Sequence, residues 1–335
     1  MPCPYHFIYD TMAGSGSDFN MRIVFMGTPE FSVPALEYLV RSEYQVVGVY
    51  TQPDRPTGRG RTLEQSPVKK VALEHGLEVF QPVKLRNPEE VQRLAALKPD
   101  LILVAAFGQI LPQSVLDIPP FGCLNIHPSL LPKYRGATPI PSSILGGDSE
   151  TGVTIMLMDA GMDTGPIISQ MIVGIEPQDT AGSLTTRLAQ DGVRLLGEVL
   201  PLWFERSLKP QPHDVSKATY TSPIAKEDGI INWQMPAGEI SRRVRAFYPW
   251  PGCNTWWQGR LLKILEAVAF HKEGNLTPGK VVALASGQPA VVGVETGDGV
   301  LGLLRVQLEG KRALTAAEFL LGQRTFVGST LSSKS

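Results

Sequence analysis

A Rossmann-like, mostly parallel α/β sheet followed by a smaller OB-like β-barrel is the architecture this sequence predicts. Three observations lead there. Short apolar runs alternate with amphipathic helical segments up to about residue 204, the pattern of βαβ units whose sheet is covered on both faces. After a stretch rich in Pro, Lys, His and Ser, the texture changes to short strand-like segments punctuated by glycine. A chain of 335 residues also exceeds what one core comfortably serves, so about two domains are expected.

Residues 22–26 read as a buried strand that passes through Gly27-Thr28-Pro29-Glu30 into an amphipathic helix over 32–42. A second strand covers 45–51. Ser66-Pro67 opens a helix to about residue 75, 78–80 is a short strand, and Asn87-Pro88-Glu89-Glu90 caps the next helix. Apolar runs at 101–106, 123–127 and 154–158 continue the sheet, and a long amphipathic helix over 181–204 closes the domain. Beyond 208–222, read as a linker, one helix at 237–247 precedes strands at 254–257, 261–269, 279–285, 290–295 and 302–307. Thr315 caps a final helix to residue 321. The domain plan is therefore a disordered extension at 1–20, a catalytic domain at 21–207, the linker, a barrel domain at 223–322 and a flexible tail at 323–335.

Composition excludes several classes. Hydrophobic content of 43% and charged content of 19% are those of a globular protein, and no apolar run approaches the roughly 20 residues needed to span a bilayer. Residues 1–20 lack a basic start and a continuous apolar stretch, so they do not read as a secretory signal. Cys3, Cys123 and Cys253 are too far apart to form a ligand pair and suit a reducing cytoplasm, with no metal indicated. The net charge of −1 hides an asymmetry: 18 Lys and Arg against 23 Asp and Glu up to residue 222, then 13 against 9. A basic second domain suits a polyanionic partner.

The chemistry is concentrated in Asn125-Ile126-His127-Pro128-Ser129-Leu130-Leu131-Pro132 and in Asp159-Ala160-Gly161-Met162-Asp163-Thr164-Gly165. Asn125 and His127 lie two apart on a strand, so both project from one face, and Pro128 ends the strand. Asp159 and Asp163 both sit in the glycine-flanked turn, and either can cap it. Carboxamide, imidazole and carboxylate at a strand end suit acyl transfer. By contrast, Gly27-Thr28-Pro29 retains one glycine of a dinucleotide fingerprint, with a proline where the phosphate would approach, and NAD is rejected. The run from Thr51 through Arg55, Arg59 and Arg61 is either a solvated loop or an arm that reaches a phosphate backbone. In the second domain the tryptophans are assigned to the core, and Arg242, Arg260, Lys263, Lys311 and Arg312 to an exposed phosphate-contacting face.

From Met21 to Gly322 the chain resembles the methionyl-tRNA formyltransferases. The likeness rests on Asn125-x-His127 with its Ser-Leu-Leu-Pro loop, on Asp163-Thr-Gly, on Thr51-Gln-Pro-Asp-Arg-Pro-x-Gly-Arg-Gly, on Phe247-x-Pro-Trp-Pro and on Thr296-Gly-Asp-Gly. The resemblance implies a formyltransferase-type sheet and catalytic roles for Asn125, His127 and Asp163. It also implies a site for 10-formyltetrahydrofolate lined by Ser129, Leu130, Leu131, Pro132, Phe107, Gln109 and Ile110. The expected partner is initiator methionyl-tRNA, held by Arg55, Arg59, Arg61 and the basic face. The expected enzyme is a cytoplasmic monomer without metal, and Asn125 and a His127 N–H donate to the formyl oxygen. The competing readings are a formyltransferase acting on a nucleotide-linked amino sugar and a non-catalytic tRNA- or folate-binding module.

Overall fold

The computed structural model describes residues 21–57, 62–272 and 274–333, so the extension at 1–20 and the arginines Arg59 and Arg61 lie outside the described residues. The chain opens with strand β1 (Arg22–Gly27), helix α1 (Val33–Arg41) and β2 (Gln45–Tyr50). A two-stranded hairpin follows, β3 (Arg55–Thr57) paired with β4 (Thr62–Glu64). Then follow α2 (Pro67–Glu74), β5 (Val79–Phe80), α3 (Pro88–Ala96), β6 (Leu101–Ala105) and α4 (Gln113–Leu116). Strand β7 (Cys123–His127) leads to a short β8 (Arg135–Gly136) and α5 (Pro139–Gly146). The domain ends with β9 (Glu150–Leu157), β10 (Ile167–Gly174) and α6 (Ala181–Phe204).

Seven strands form the main sheet in the order β10-β9-β7-β6-β1-β2-β5. The pairs from β7 through β5 are parallel, whereas β9 and β10 add antiparallel edge strands. Helix starts follow the expected chemistry in part. The Ser66 side chain accepts from the Lys69 N–H, but Asn87 stands at its N-cap position without a side-chain cap bond. Alternate residues of β7 separate the two cores: Leu124 and Ile126 join the cluster under α1 and α6, and Cys123 joins the one with Val104 and Phe107. Asn125 and His127 share the Cys123 face, as the two-residue period requires.

A switch in strand order lies between β1 and β6, because β2 and β5 run to one side and β7 to the other. In open α/β sheets the crevice outside the strand ends at that switch is where ligands bind. Here it is bounded by Thr28, Gln52 and Phe107. The Phe107 carbonyl accepts from Thr28 Oγ1 at 3.0 Å and from Gln52 Nε2 at 3.2 Å.

The connecting stretch is more than a linker. Its strand β11 (Tyr220–Thr221) pairs in parallel with β8, and Ile167 bridges Gln211. The second domain begins with α7 (Ala237–Ala246) and continues as an antiparallel sheet of β12 (Cys253–Trp257), β13 (Arg260–Phe270), β14 (Val281–Ala283), β15 (Val292–Glu295), β16 (Val300–Leu308) and β17 (Leu314–Thr315). Thr315 caps α8 (Ala316–Gly322) as expected, its hydroxyl accepting from the Glu318 N–H.

The expectation of a flexible tail at 323–335 is corrected over residues 323–333. This segment lies between the two edge strands: Trp256 pairs with Ser332, and Lys280 with Thr330. It thus closes the curled sheet and satisfies edge N–H and C=O groups that would otherwise be open. Phe326 and Leu331 anchor it in the core, and Phe326 meets the rings of Trp257 and Phe319 edge-on at 5.2 and 5.0 Å. Phe326→Ala is expected to destabilise this domain by about 3–5 kcal/mol, read as a lower urea midpoint of the Trp257 signal. An unchanged midpoint would show that the segment is not part of the barrel.

Assignment of all tryptophans to the core is corrected as well. Trp233 and Trp257 are buried, but Trp250 is 59% exposed at the turn after α7. Arg242 is corrected too: its Nε donates to the Leu145 carbonyl at 3.1 Å, which turns it toward the domain junction. Arg245 Nη1 does the same for the Asp179 carbonyl at 3.0 Å. These two arginines fasten the domains together.

Candidate active site

Pro128 ends β7 immediately after His127 and places the imidazole at the strand terminus. The ring is buried, with Nε2 3.1 Å from the Tyr134 carbonyl. A carbonyl only accepts, so Nε2 carries the proton in this contact and Nδ1 is left with its lone pair when the ring is neutral. Nδ1 faces Asp163 Oδ1 at 3.7 Å, an ion-pair distance rather than a hydrogen bond. Burial pulls the His127 pKa below its usual 6.5, while the Asp163 charge and the Tyr134 carbonyl pull it upward. The neutral ring is the resting form. The expectation that a His127 N–H is ready to donate to the formyl oxygen is therefore corrected: the Nε2 hydrogen is engaged by Tyr134, and Nδ1 is placed to accept a proton first.

The turn at 159–165 resolves which acid faces the site. Asp159 caps the turn, accepting from the Gly161 N–H at 3.0 Å and the Thr164 hydroxyl at 2.6 Å. That leaves Asp163 free to turn inward, where its Oδ2 accepts from the Gly136 N–H at 2.8 Å. Asp163 has φ +52°, a left-handed conformation that aspartate tolerates better than most residues. Gly165 has no alternative, since an added Cβ would collide with the Leu157 carbonyl.

Asn125 differs from its neighbours. Only 8% exposed, its carboxamide makes no hydrogen bond among the described residues, whereas buried amides are normally paired. A preorganised donor of this kind, beside an imidazole–carboxylate pair, is what an oxyanion site requires. The nearby Cys123 thiol is pushed up to about 12 by burial, so it stays protonated and is no competing nucleophile.

The loop after β7 is held by residues that sequence reasoning missed. Thr154 donates to the Ser129 carbonyl at 2.6 Å and accepts from the Leu131 N–H at 3.1 Å. Gln170 Nε2 donates to the Leu131 carbonyl at 2.9 Å. From the connecting stretch, the Thr219 hydroxyl accepts from the Tyr134 N–H at 2.8 Å, and its carbonyl from the Arg135 N–H at 2.9 Å. Arg135 itself is buried, with Nη2 2.8 Å from His213 Nδ1 and Nη1 3.3 Å from the Tyr220 hydroxyl. No spacing rule links residues 135 and 220; only the fold brings them together.

Among the folate-site candidates, Ser129 is corrected. Its side chain is fully buried and its hydroxyl donates to the Lys133 carbonyl at 2.7 Å, which builds the loop and leaves nothing for a ligand. Leu131 and Phe107 are buried, while Leu130 and Pro132 border a depression of about 410 Å³ with Tyr134 and Asp148. Gln109 joins the switch-point loop to the segment before α3 through Pro82 and Leu85, and Ile110 is exposed. Among the cations, Arg55 is exposed at the base of the β3–β4 hairpin. That base is braced where Lys69 donates to Asp54 at 2.6 Å and holds its carboxyl below the usual range. Arg260, Lys263, Lys311 and Arg312 are exposed and gather at one end of the barrel. There Arg260 Nη2 donates to the Glu309 carbonyl, and Lys263 pairs in register with Gln307.

Residues 21–200 match the family model described as formyl transferase, and residues 223–324 match its C-terminal domain. The chain belongs to the formyl transferase family. It is 51% identical to a methionyl-tRNA formyltransferase of Dehalococcoides mccartyi over 93% of this chain and 99% of that protein. It is 48% identical to the one of Chloroflexus aggregans over 90% and 97%. Among solved structures, an N-formyltransferase from Helicobacter canadensis in complex with folinic acid and dTDP-3-aminofucose shares the fold. It has a TM-score of 0.62 and 21% identity, covering 84% of this chain and 99% of that one. HypX from Aquifex aeolicus, in complex with tetrahydrofolic acid, gives 0.57 at 20% identity, and this chain, 92% covered, spans about half (48%) of its length. Among the described residues, no helix is long and apolar enough to cross a membrane.

Proposed function

We propose that this family member transfers the formyl group of 10-formyltetrahydrofolate to the α-amine of methionine on initiator methionyl-tRNA, in the cytoplasm and as a monomer. The carrying observation is the unpartnered Asn125 carboxamide beside the His127–Asp163 pair, on the strand next to the switch point. The two-domain likeness to methionyl-tRNA formyltransferases at about half identity supports the choice of acceptor. The co-substrate supplies the formyl carbon. As the amine attacks, Asn125 donates to the oxygen that gains negative charge. His127 Nδ1 accepts the proton that the amine must lose, and Asp163 steadies the resulting imidazolium. The proton then passes from Nδ1 to the departing folate nitrogen. The amine–formyl bond forms, the formyl–folate bond breaks, and no covalent bond to the enzyme is required.

Acceptor choice is assigned to the appended parts. Arg55, Arg59 and Arg61 form one group of candidates, and Arg260, Lys263, Lys311 and Arg312, on the barrel end, form the other. The test offers radiolabelled formyl donor with charged initiator tRNA and, separately, with a nucleotide-linked amino sugar. Formylation of the methionyl-tRNA alone is expected. Label on the sugar would overturn the acceptor assignment, and binding of both substrates without label transfer would leave only a binding module.

A further inference from the structure

The turn that carries Asp163 is gripped from outside by the connecting stretch. Gln211 exchanges both main-chain hydrogen bonds with Ile167, just after the turn, each at 2.7 Å. Further on, β11 pairs with β8, so that Tyr220 stands opposite Arg135 and Thr221 opposite Gly136, whose N–H holds Asp163. Between these attachments most of the stretch is exposed, but His213 is half-buried and its ring meets Arg135. Arg135 is 2% exposed and makes no ion pair among the described residues. Its charge is met by neutral acceptors, His213 Nδ1 2.8 Å from Nη2 and the Tyr220 hydroxyl 3.3 Å from Nη1. A guanidinium only donates, so His213 Nδ1 offers its lone pair and the ring is neutral. Burial first, and the guanidinium second, hold the His213 pKa below its usual 6.5, against the pull of the Gly165 carbonyl, Asp159 and Asp163. These last three belong to the turn, so the ring is seated between the guanidinium and the turn. A cation buried without an acid is costly, and an apolar side chain would serve stability better. Its presence here points to placement.

We propose that Arg135 and His213 are positioning residues for formyl transfer: joined to each other, they hold the turn so that Asp163 faces the His127 ring. The inference rests on the reading of His127 and Asp163 as the proton-handling pair. It deepens that reading, because it makes residues 211–221 part of the active site. Asp163 acts on the ring across 3.7 Å without a hydrogen bond, so nothing in that contact fixes its distance. The distance is set by what holds the turn: the Gly136 N–H, the Gln211 main chain and the Arg135–His213 contact. Neither Arg135 nor His213 touches the reacting atoms, and both act through Asp163.

His213→Ala, which leaves the guanidinium without its nearer acceptor, tests this in the full chain. Its single-turnover formyl transfer to charged initiator tRNA is expected to slow by about 10- to 100-fold, the scale of a group displaced by up to about 1 Å. KM for both substrates should stay within about twofold, because neither residue contacts them. The His127 ring should titrate lower, toward its value in Asp163→Asn, since the charge that raises it has drawn away. His213→Gln, whose Oε1 accepts from Arg135 again, should restore both the rate and the midpoint. In an Asp163→Asn background, His213→Ala should cost little more, the signature of two residues acting through one group. An unmoved His127 midpoint in His213→Ala overturns the inference whatever the rate does, and so does an equal loss of rate in both backgrounds. Should the His213→Ala chain not fold, Tyr220→Phe removes the other acceptor at an exposed residue, and an unmoved midpoint there overturns it equally. If Asp163→Asn itself transfers formyl at the normal rate, it is the reading of the site that fails. The His213→Ala midpoint then still shows whether these residues place the carboxylate.

Discussion

Asn125→Ala is expected to lower kcat for formyl transfer by about 10²–10³-fold, the loss typical of one preorganised oxyanion donor. Its effect on KM for either substrate should be small, because the contact it removes strengthens only as charge develops on the oxygen. The same change should leave thermal stability close to that of the unaltered protein. Removing a buried amide usually strands a hydrogen-bond partner, and the Asn125 carboxamide has none among the described residues. Activity and stability are thus predicted to separate, with rapid-quench kinetics and a melting curve as the two readouts. Near-normal turnover would remove Asn125 from the chemistry. A large drop in melting temperature would show that the amide belongs to the fold.

The parts that were legible in the sequence share a local cause. Strand β7 and helix α6 coincide with their expected bounds, because an uninterrupted apolar run and a 24-residue amphipathic period both declare themselves. Ser66 and Thr315 announced their helices through side-chain caps. Where reading failed, the deciding interaction came from far away in the chain. Helix α5 was hidden by Pro139 and Pro141, yet both fall in its first turn, where no intrahelical N–H bond is lost. Strand β10 follows a glycine-rich turn and was missed, because its pattern fits an exposed edge rather than a buried strand. The segment 328–333 has a loop-like composition, and only the unpaired edges of β12 and β14 make it a strand partner. At the site, the trio was named from its motifs. Which way Ser129 points, which of two aspartates caps the turn, and which nitrogen of His127 is free depend on Lys133, Thr164 and Tyr134, and these emerge only with the fold.

The division of labour between His127 and Asp163 yields the second large effect. His127→Ala is expected to reduce single-turnover formyl transfer by about 10²–10⁴-fold, since the positioned proton acceptor is gone. Asp163→Asn keeps the ring but removes the charge that favours its protonated form, and should lower the plateau rate while leaving the acceptor in place. The two variants differ in titration, best followed on the His127 ring resonances without substrate, because a free α-amine itself titrates at about 7.7–8.0. In the unaltered protein the ring should titrate below 6.5, burial being the dominant cause. Asp163 raises that value, so Asp163→Asn should move the midpoint further down. The sign carries over to stability: a folded-state pKa below the unfolded one means the unfolded chain binds the proton more readily. The contribution of His127 to stability is then complete above about pH 6.5 and is lost as pH falls through the folded-state value. An upward shift in Asp163→Asn, or none, would mean that the carboxylate 3.7 Å away does not govern the ring. A proton route through Nδ1 would then have no electrostatic support.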